Sequence, residues 1–161
     1  GAILNKQDLS ITTIGLNNEI KNPLIHGEIS TINNFFNLNK NLDPKKFIFI
    51  SSHEPCSLCL SAITWAGFDN FYYFFSYSDT KYKFNIPHDL NIMSEVFKVK
   101  KGSYNSHNKY WHSFSIIHEI SKLSLENKQI LEPKIDKIYK EYKILSNQYQ
   151  QNKNLNQIPL K

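Results

Sequence analysis

The sequence predicts an α/β protein, a three-layer α/β/α sandwich around a mixed sheet, and three observations carry that expectation. Two continuous apolar runs of strand length, Phe47-Ile48-Phe49-Ile50 and Phe71-Tyr72-Tyr73-Phe74-Phe75, read as buried strands. Before and between them lie segments that suit helices, the first with apolar residues recurring every three or four positions. The order is therefore strand, strand, helix, strand, helix, strand, which gives βαβ units and helices packed on a sheet. A chain of 161 residues is long enough for one domain with a sizeable core.

Each element follows from local chemistry. Ala2 to Leu4 and Leu9 to Ile14 read as short strands, with Asn5-Lys6-Gln7-Asp8 as the polar turn between them. A loop with Asn17, Asn18 and Pro23 follows. From His26 the apolar positions Ile29, Ile32, Phe35 and Phe36 mark an amphipathic helix. Asp43-Pro44 breaks it before the strand that begins at Phe47. Pro55 is expected to open a second helix reaching about Trp65, since proline costs little in a first turn. Gly67 ends that helix, and Asn70 to Ser76 is the next strand.

Further on, Leu90, Ile92, Met93, Val96 and Phe97 suggest a short helix with Asp89 as its N-cap. Asp79 reads as a solvated turn residue and 102–108 as a polar loop. Beyond Pro133, the residues Ile135, Ile138, Tyr139, Tyr142, Leu145 and Tyr149 mark a long amphipathic helix. Its apolar stripe must be covered by the domain or by another protomer. Residues 150–161 are polar and expected to fray.

The chemistry concentrates in two clusters, His26-Gly27-Glu28 and Pro55-Cys56-Ser57-Leu58-Cys59. Cys56 and Cys59 stand three apart at a helix start, so their sulfurs share a face and can reach one ion. The free N–H groups and dipole of a helix start stabilise thiolates there. With His26 they make three ligands, which suits a catalytic zinc whose fourth position stays open for water. Glu28, two residues from His26, can face that open position and move protons. A structural zinc would need a fourth ligand, and there is no second C-x-x-C. His53, three residues before Cys56, is a rival ligand, but a site built on it leaves Glu28 without a role. His88, His107, His112 and His118 read as solvated or capping residues.

Bulk composition narrows the function further. Both cysteines lie in the one C-x-x-C, so there is no disulfide framework, and a reducing, cytoplasmic setting is expected. Nothing resembles a signal peptide or a membrane span. The net charge is +5, yet every basic residue apart from histidine is lysine. Without arginine the forked donor favoured for phosphates and base edges is missing, so nucleic acid is not the expected partner.

The two clusters in this order, H-x-E then P-C-x-x-C, resemble the cytidine deaminase-like superfamily of zinc hydrolases, over roughly Gly1 to Phe97. The run from Glu54 to Ala66 is similar to the E-P-C-x-x-C-x-x-A-I-x-W-A of bacterial guanine deaminases. It resembles tRNA adenosine deaminases and cytosine deaminases less. Gly15-Leu16-Asn17 resembles the family's G-x-N. The resemblance implies Asn17 as a substrate ligand, the Gly27 backbone against the substrate, and Trp65 flanking the base. For Trp65, core packing is an equal reading. The resemblance to guanine deaminases also implies an acidic substrate contact after the fourth strand, for which Asp79 and Asp89 are both plausible beside their turn and N-cap readings.

What it implies about function is hydrolytic deamination of a free, guanine-like purine base or nucleoside with one zinc per chain. The alternatives are a cytosine or tRNA adenosine deaminase, or a zinc-stabilised binding module without catalysis. Residues 1–97 would form the deaminase core and 98–161 a C-terminal helical extension packed on it, in a homodimer. Family members carry a helix before the first strand, where this chain begins. An upstream segment or later helices are therefore expected to cover that face of the sheet.

Overall fold

A computed structural model describes residues 1–38, 41–153, 155, 159 and 160. Ala2–Asn5 (β1) pairs antiparallel with Ile11–Ile14 (β2) and, on its other side, with Phe47–His53 (β3). Asn70–Phe75 (β4) and His112–Ser115 (β5) extend the sheet parallel to β3, in the order β2-β1-β3-β4-β5. The mixed sheet is the predicted one. Six α-helices accompany it among the described residues: Gly27–Leu38 (α1), Ser57–Trp65 (α2), Tyr77–Tyr82 (α3), His88–Glu95 (α4), Ile116–Ser121 (α5) and Leu125–Asn152 (α6).

Strand alternation puts Ile3, Phe47, Phe49 and Phe71 on one face of the sheet. There they meet Phe35 of α1, Leu60 and Ile63 of α2, and Met93 of α4 in the main core. Ring packing is mostly edge-on: Phe35 sits 4.9 Å from Phe47, and Phe49 sits 5.2 Å from Phe68. Such pairs add about 0.5–1.5 kcal/mol each beyond the area they bury. A Cβ on Gly15 would collide with the Thr31 backbone, so only glycine lets the end of β2 approach α1 this closely. That approach seats the start of α1, with His26 and Glu28, against the end of the sheet.

A second, aromatic cluster forms around Phe74, Phe75 and Phe84, covered by Ile135, Ile138, Tyr139 and Tyr142 of α6. The long helix thus lays part of its predicted stripe on its own chain. The rest of the far sheet face is only partly covered: Leu4, Ile48, Ile50, Tyr72 and Phe114 are half-buried, and Ile11 and Ile14 are exposed.

Several boundaries differ from the sequence reading, each for a local reason. Helix α2 starts at Ser57 with Cys56 as N-cap, so Pro55 precedes the helix. Leu9 leaves β2 because it takes a left-handed φ of 59° in the turn. Asp79 belongs to helix α3, where it and Ser76 form a capping box. Pro87, not Asp89, caps α4. Helix α6 begins eight residues before Pro133, capped by Ser124, and carries that proline inside it. Gln150 is not frayed: it lies in α6 and its amide donates to the Phe84 carbonyl at 2.9 Å. Of the predicted fraying tail, residues 154, 156–158 and 161 lie outside the described residues.

Candidate metal centre

Two helix starts and one strand end converge at the site. His26 stands immediately before α1, Cys56 caps α2 and Cys59 sits in its first turn. The ligand atoms of His26, Cys56 and Cys59 all lie within 4.8 Å of one another. His26 Nδ1 is 3.5 Å from Cys56 Sγ and 3.6 Å from Cys59 Sγ. A tetrahedral zinc with ordinary bond lengths holds nitrogen and sulfur about 3.6 Å apart. The donor set and its spacing therefore fit zinc. His53 is not in this group.

The electrostatics express the same proximity. His26 is raised to about 10, first by its hydrogen bond with Cys56 and next by Glu19, against burial. Cys56 is lowered to about 5, chiefly through its hydrogen bond with Cys59 and then through His26. Cys59 is pushed upward, first by that same bond and then by burial. Without metal, His26 is thus biased toward its protonated form and Cys56 toward its thiolate. Zinc takes over what that proton neutralises.

Glu28 stays outside the ligand trio yet touches it. Its Oε1 accepts from the Ser51 hydroxyl on β3, and its Oε2 lies 3.3 Å from Cys59 Sγ. A cavity of about 870 Å³ opens onto His26, Glu28, Ser51 and Cys56, with Gly27, Asn17 and His53 on its walls. Helix α6 adds Tyr142, Leu145 and Tyr149 to the lining. Asn17 Oδ1 accepts the Glu19 backbone N–H at 2.9 Å, and Asn17 also helps hold the Glu19 carboxylate. Trp65 is not brought to the site: it is 91% exposed at the end of α2, neither flanking the cavity nor packed in the core.

Four residues stand at or beside the site, of which sequence reasoning weighs only Asp89, with Asp79, as a substrate acid. Glu19 bonds to His26, and its carboxyl is held below the usual range, first by that bond and then by Asn17. Asp89 turns into the cavity, where burial and then Cys56 raise it to about 7. His53 is caged by Phe75, Phe84 and Tyr142 at 4.9–5.4 Å, and burial lowers it to about 4. Glu54 accepts the Tyr77 N–H and the Tyr104 hydroxyl, each at 2.9 Å, while Tyr77 Oη donates to the Pro55 carbonyl. This buried clasp fixes the loop that presents Cys56. Its one sequence signal was the E-P-C string. His88 also lines the cavity and is no mere solvated residue.

An α/β sheet with a His-Cys-Cys zinc site at two helix starts, and a carboxylate beside it, defines a class of zinc hydrolase fold. Residues 1–75 match the family described as the cytidine and deoxycytidylate deaminase zinc-binding region, which supports a cytidine deaminase-like zinc deaminase core. Among solved structures, 11 chains match. One comes from work on A-to-I editing by tRNA:A34 deaminases at the wobble position of transfer RNA. It has a TM-score of 0.44 and 20% identity, over 70% of this chain and 80% of that one. No curated protein matches the chain. Among the described residues no helix is long and apolar enough to cross a membrane.

Proposed function

We propose that the protein hydrolytically deaminates a free purine base or nucleoside, guanine-like in its edge, and releases ammonia. The observation that carries this reading is the Glu28 carboxylate beside the zinc ligands, facing a cavity that the chain's own α6 walls. His26, Cys56 and Cys59 would hold a zinc, which would supply an activated water at neutral pH. Glu28 does the proton work: Ser51 fixes Oε1, while Oε2 carries one proton from the attacking water to a ring nitrogen and then a second, from the newly added hydroxyl, to the departing amine.

The substrate class rests on shape and edge chemistry. The cavity volume lies in the range of small-molecule sites, about 300–1,000 Å³. Its apolar wall of Phe84, Ile86, Tyr142 and Leu145 suits a flat ring and excludes water. Asp89 offers a carboxyl to the N–H edge of a guanine-like ring, and the Asn17 amide offers donors to its acceptors. A protein operating this way needs no polynucleotide groove.

The test is ammonia release from the zinc-loaded protein across purine and pyrimidine bases, nucleosides, oligonucleotides and tRNA. Turnover of a free purine base or nucleoside well above that of any polymer is expected. Deamination of tRNA or an oligonucleotide with none on free purines would overturn the substrate class. Full zinc occupancy with no deamination at all would leave a binding module instead.

A further inference from the structure

The loop between β2 and α1 carries an acid that the proposed proton transfers do not use. Glu19 Oε1 lies 3.2 Å from His26 Nε2, while Nδ1, the other nitrogen of the same ring, faces the two sulfurs. A metal-binding imidazole keeps one N–H, and its partner decides which nitrogen is free for the metal. Glu19 is itself held, because its backbone N–H donates to Asn17 Oδ1 in a tight side-chain turn. Its side chain is only 21% exposed, so bulk water competes poorly for the contact.

We infer that Glu19 is the positioning residue of the metal centre. It accepts the His26 Nε2–H, fixes the tautomer that presents Nδ1 to zinc, and raises the ring's donor strength. Asn17 acts one step further out by setting the turn from which Glu19 reaches the ring. This assigns Asn17 a structural duty beside any substrate contact, and explains how a loop can deliver a well-oriented ligand. The inference rests on the metal site and is independent of which substrate is turned over.

The experiment compares wild type, Glu19→Gln and Glu19→Ala. Zinc affinity is measured by chelator competition, the site's geometry by absorption of the cobalt-substituted protein, and the fold by melting of each protein with and without zinc. Zinc affinity should fall 10–100-fold in Glu19→Ala. Glu19→Gln, which keeps an acceptor oxygen but no charge, should recover part of that loss. The cobalt bands should shift in Glu19→Ala, and the zinc-free protein should melt as wild type does. Zinc affinity within twofold of wild type and an unchanged cobalt spectrum in Glu19→Ala would overturn the assignment. So would an equal loss of melting temperature with and without metal, which marks packing alone. Weakened zinc binding in a protein that deaminates no purine would sustain this inference and overturn only the substrate reading.

Discussion

Glu28 has one oxygen tethered by Ser51 and the other turned toward Cys59, and its two halves predict different outcomes for two substitutions. Glu28→Gln keeps the shape and the Ser51 bond but cannot carry a proton. Turnover should fall about 100-fold or more, with zinc content unchanged by elemental analysis. Ser51→Ala frees the carboxylate to rotate, and a smaller fall is expected. His53 gives a stability test instead. Burial holds its imidazole at about 4, against 6.5 in the unfolded chain. Between those values the unfolded chain binds a proton that the folded one refuses. Stability is therefore full above about pH 6.5 and falls as pH drops toward 4, by about 3 kcal/mol over the window. Urea midpoints of wild type and His53→Phe measured across that range should diverge, the variant losing less on acidification.

The metal ligands and Glu28 were legible from sequence because their chemistry is written in short spacings, two and three residues apart. Glu19 and the cage around His53 were not, because each contact arises only when separate elements meet, and Asp89 stood only as one of two plausible acids beside Asp79. Asp89 shows the difference well. Its place before an apolar repeat suggested a cap, yet Pro87 takes that position and frees the carboxyl to face the cavity.

Among the elements, α6 departs furthest from expectation. A proline inside a helical pattern signals a boundary, and here the helix runs through Pro133 for 28 residues. The exposed proline leaves the Gln129 carbonyl without its usual helical partner. Pro133→Ala should therefore raise stability, by about 2 kcal/mol, as read from thermal or urea unfolding. Tyr142 packs against Phe75 with ring centres 4.7 Å apart and planes tilted by 57°, and reaches His53 as well. Tyr142→Ala should cost about 2–3 kcal/mol and admit larger substrates, which the same unfolding assay and a substrate panel would reveal. The other helices and strands sort by length and polarity. β3, β4, α1 and α2 were legible because their apolar runs or spacings are long. The short β5, with His112, Ser113 and Ser115, has no apolar run, and only pairing with β4 makes it a strand. Helix α3 rests on the Ser76–Asp79 capping box, a polar signal that a search for apolar periodicity passes over.

At the scale of the whole molecule, metal and fold are linked. The zinc ligands join α1 to α2 across the end of the sheet, so stripping the metal should destabilise the protein. Free zinc at about a thousand times its dissociation constant contributes about 4 kcal/mol, and a chelator titration followed by melting temperature should recover that difference. The α/β class and the mixed sheet were visible from strand and helix order, whereas the coverage of the sheet's second face was not. Which residues α6 lies on depends on where Phe74, Phe75 and Phe84 gather, and no pattern local to the helix encodes that.

The same helix both seals that aromatic cluster and walls the cavity, from Tyr142 to Tyr149. Occupancy of the cleft is consequently recorded far along the chain from any metal ligand. Amide hydrogen exchange in the second half of α6 should slow whenever a small molecule fills the cavity, whether or not it is turned over. That segment is a built-in gauge for finding ligands of this protein before a product has been identified.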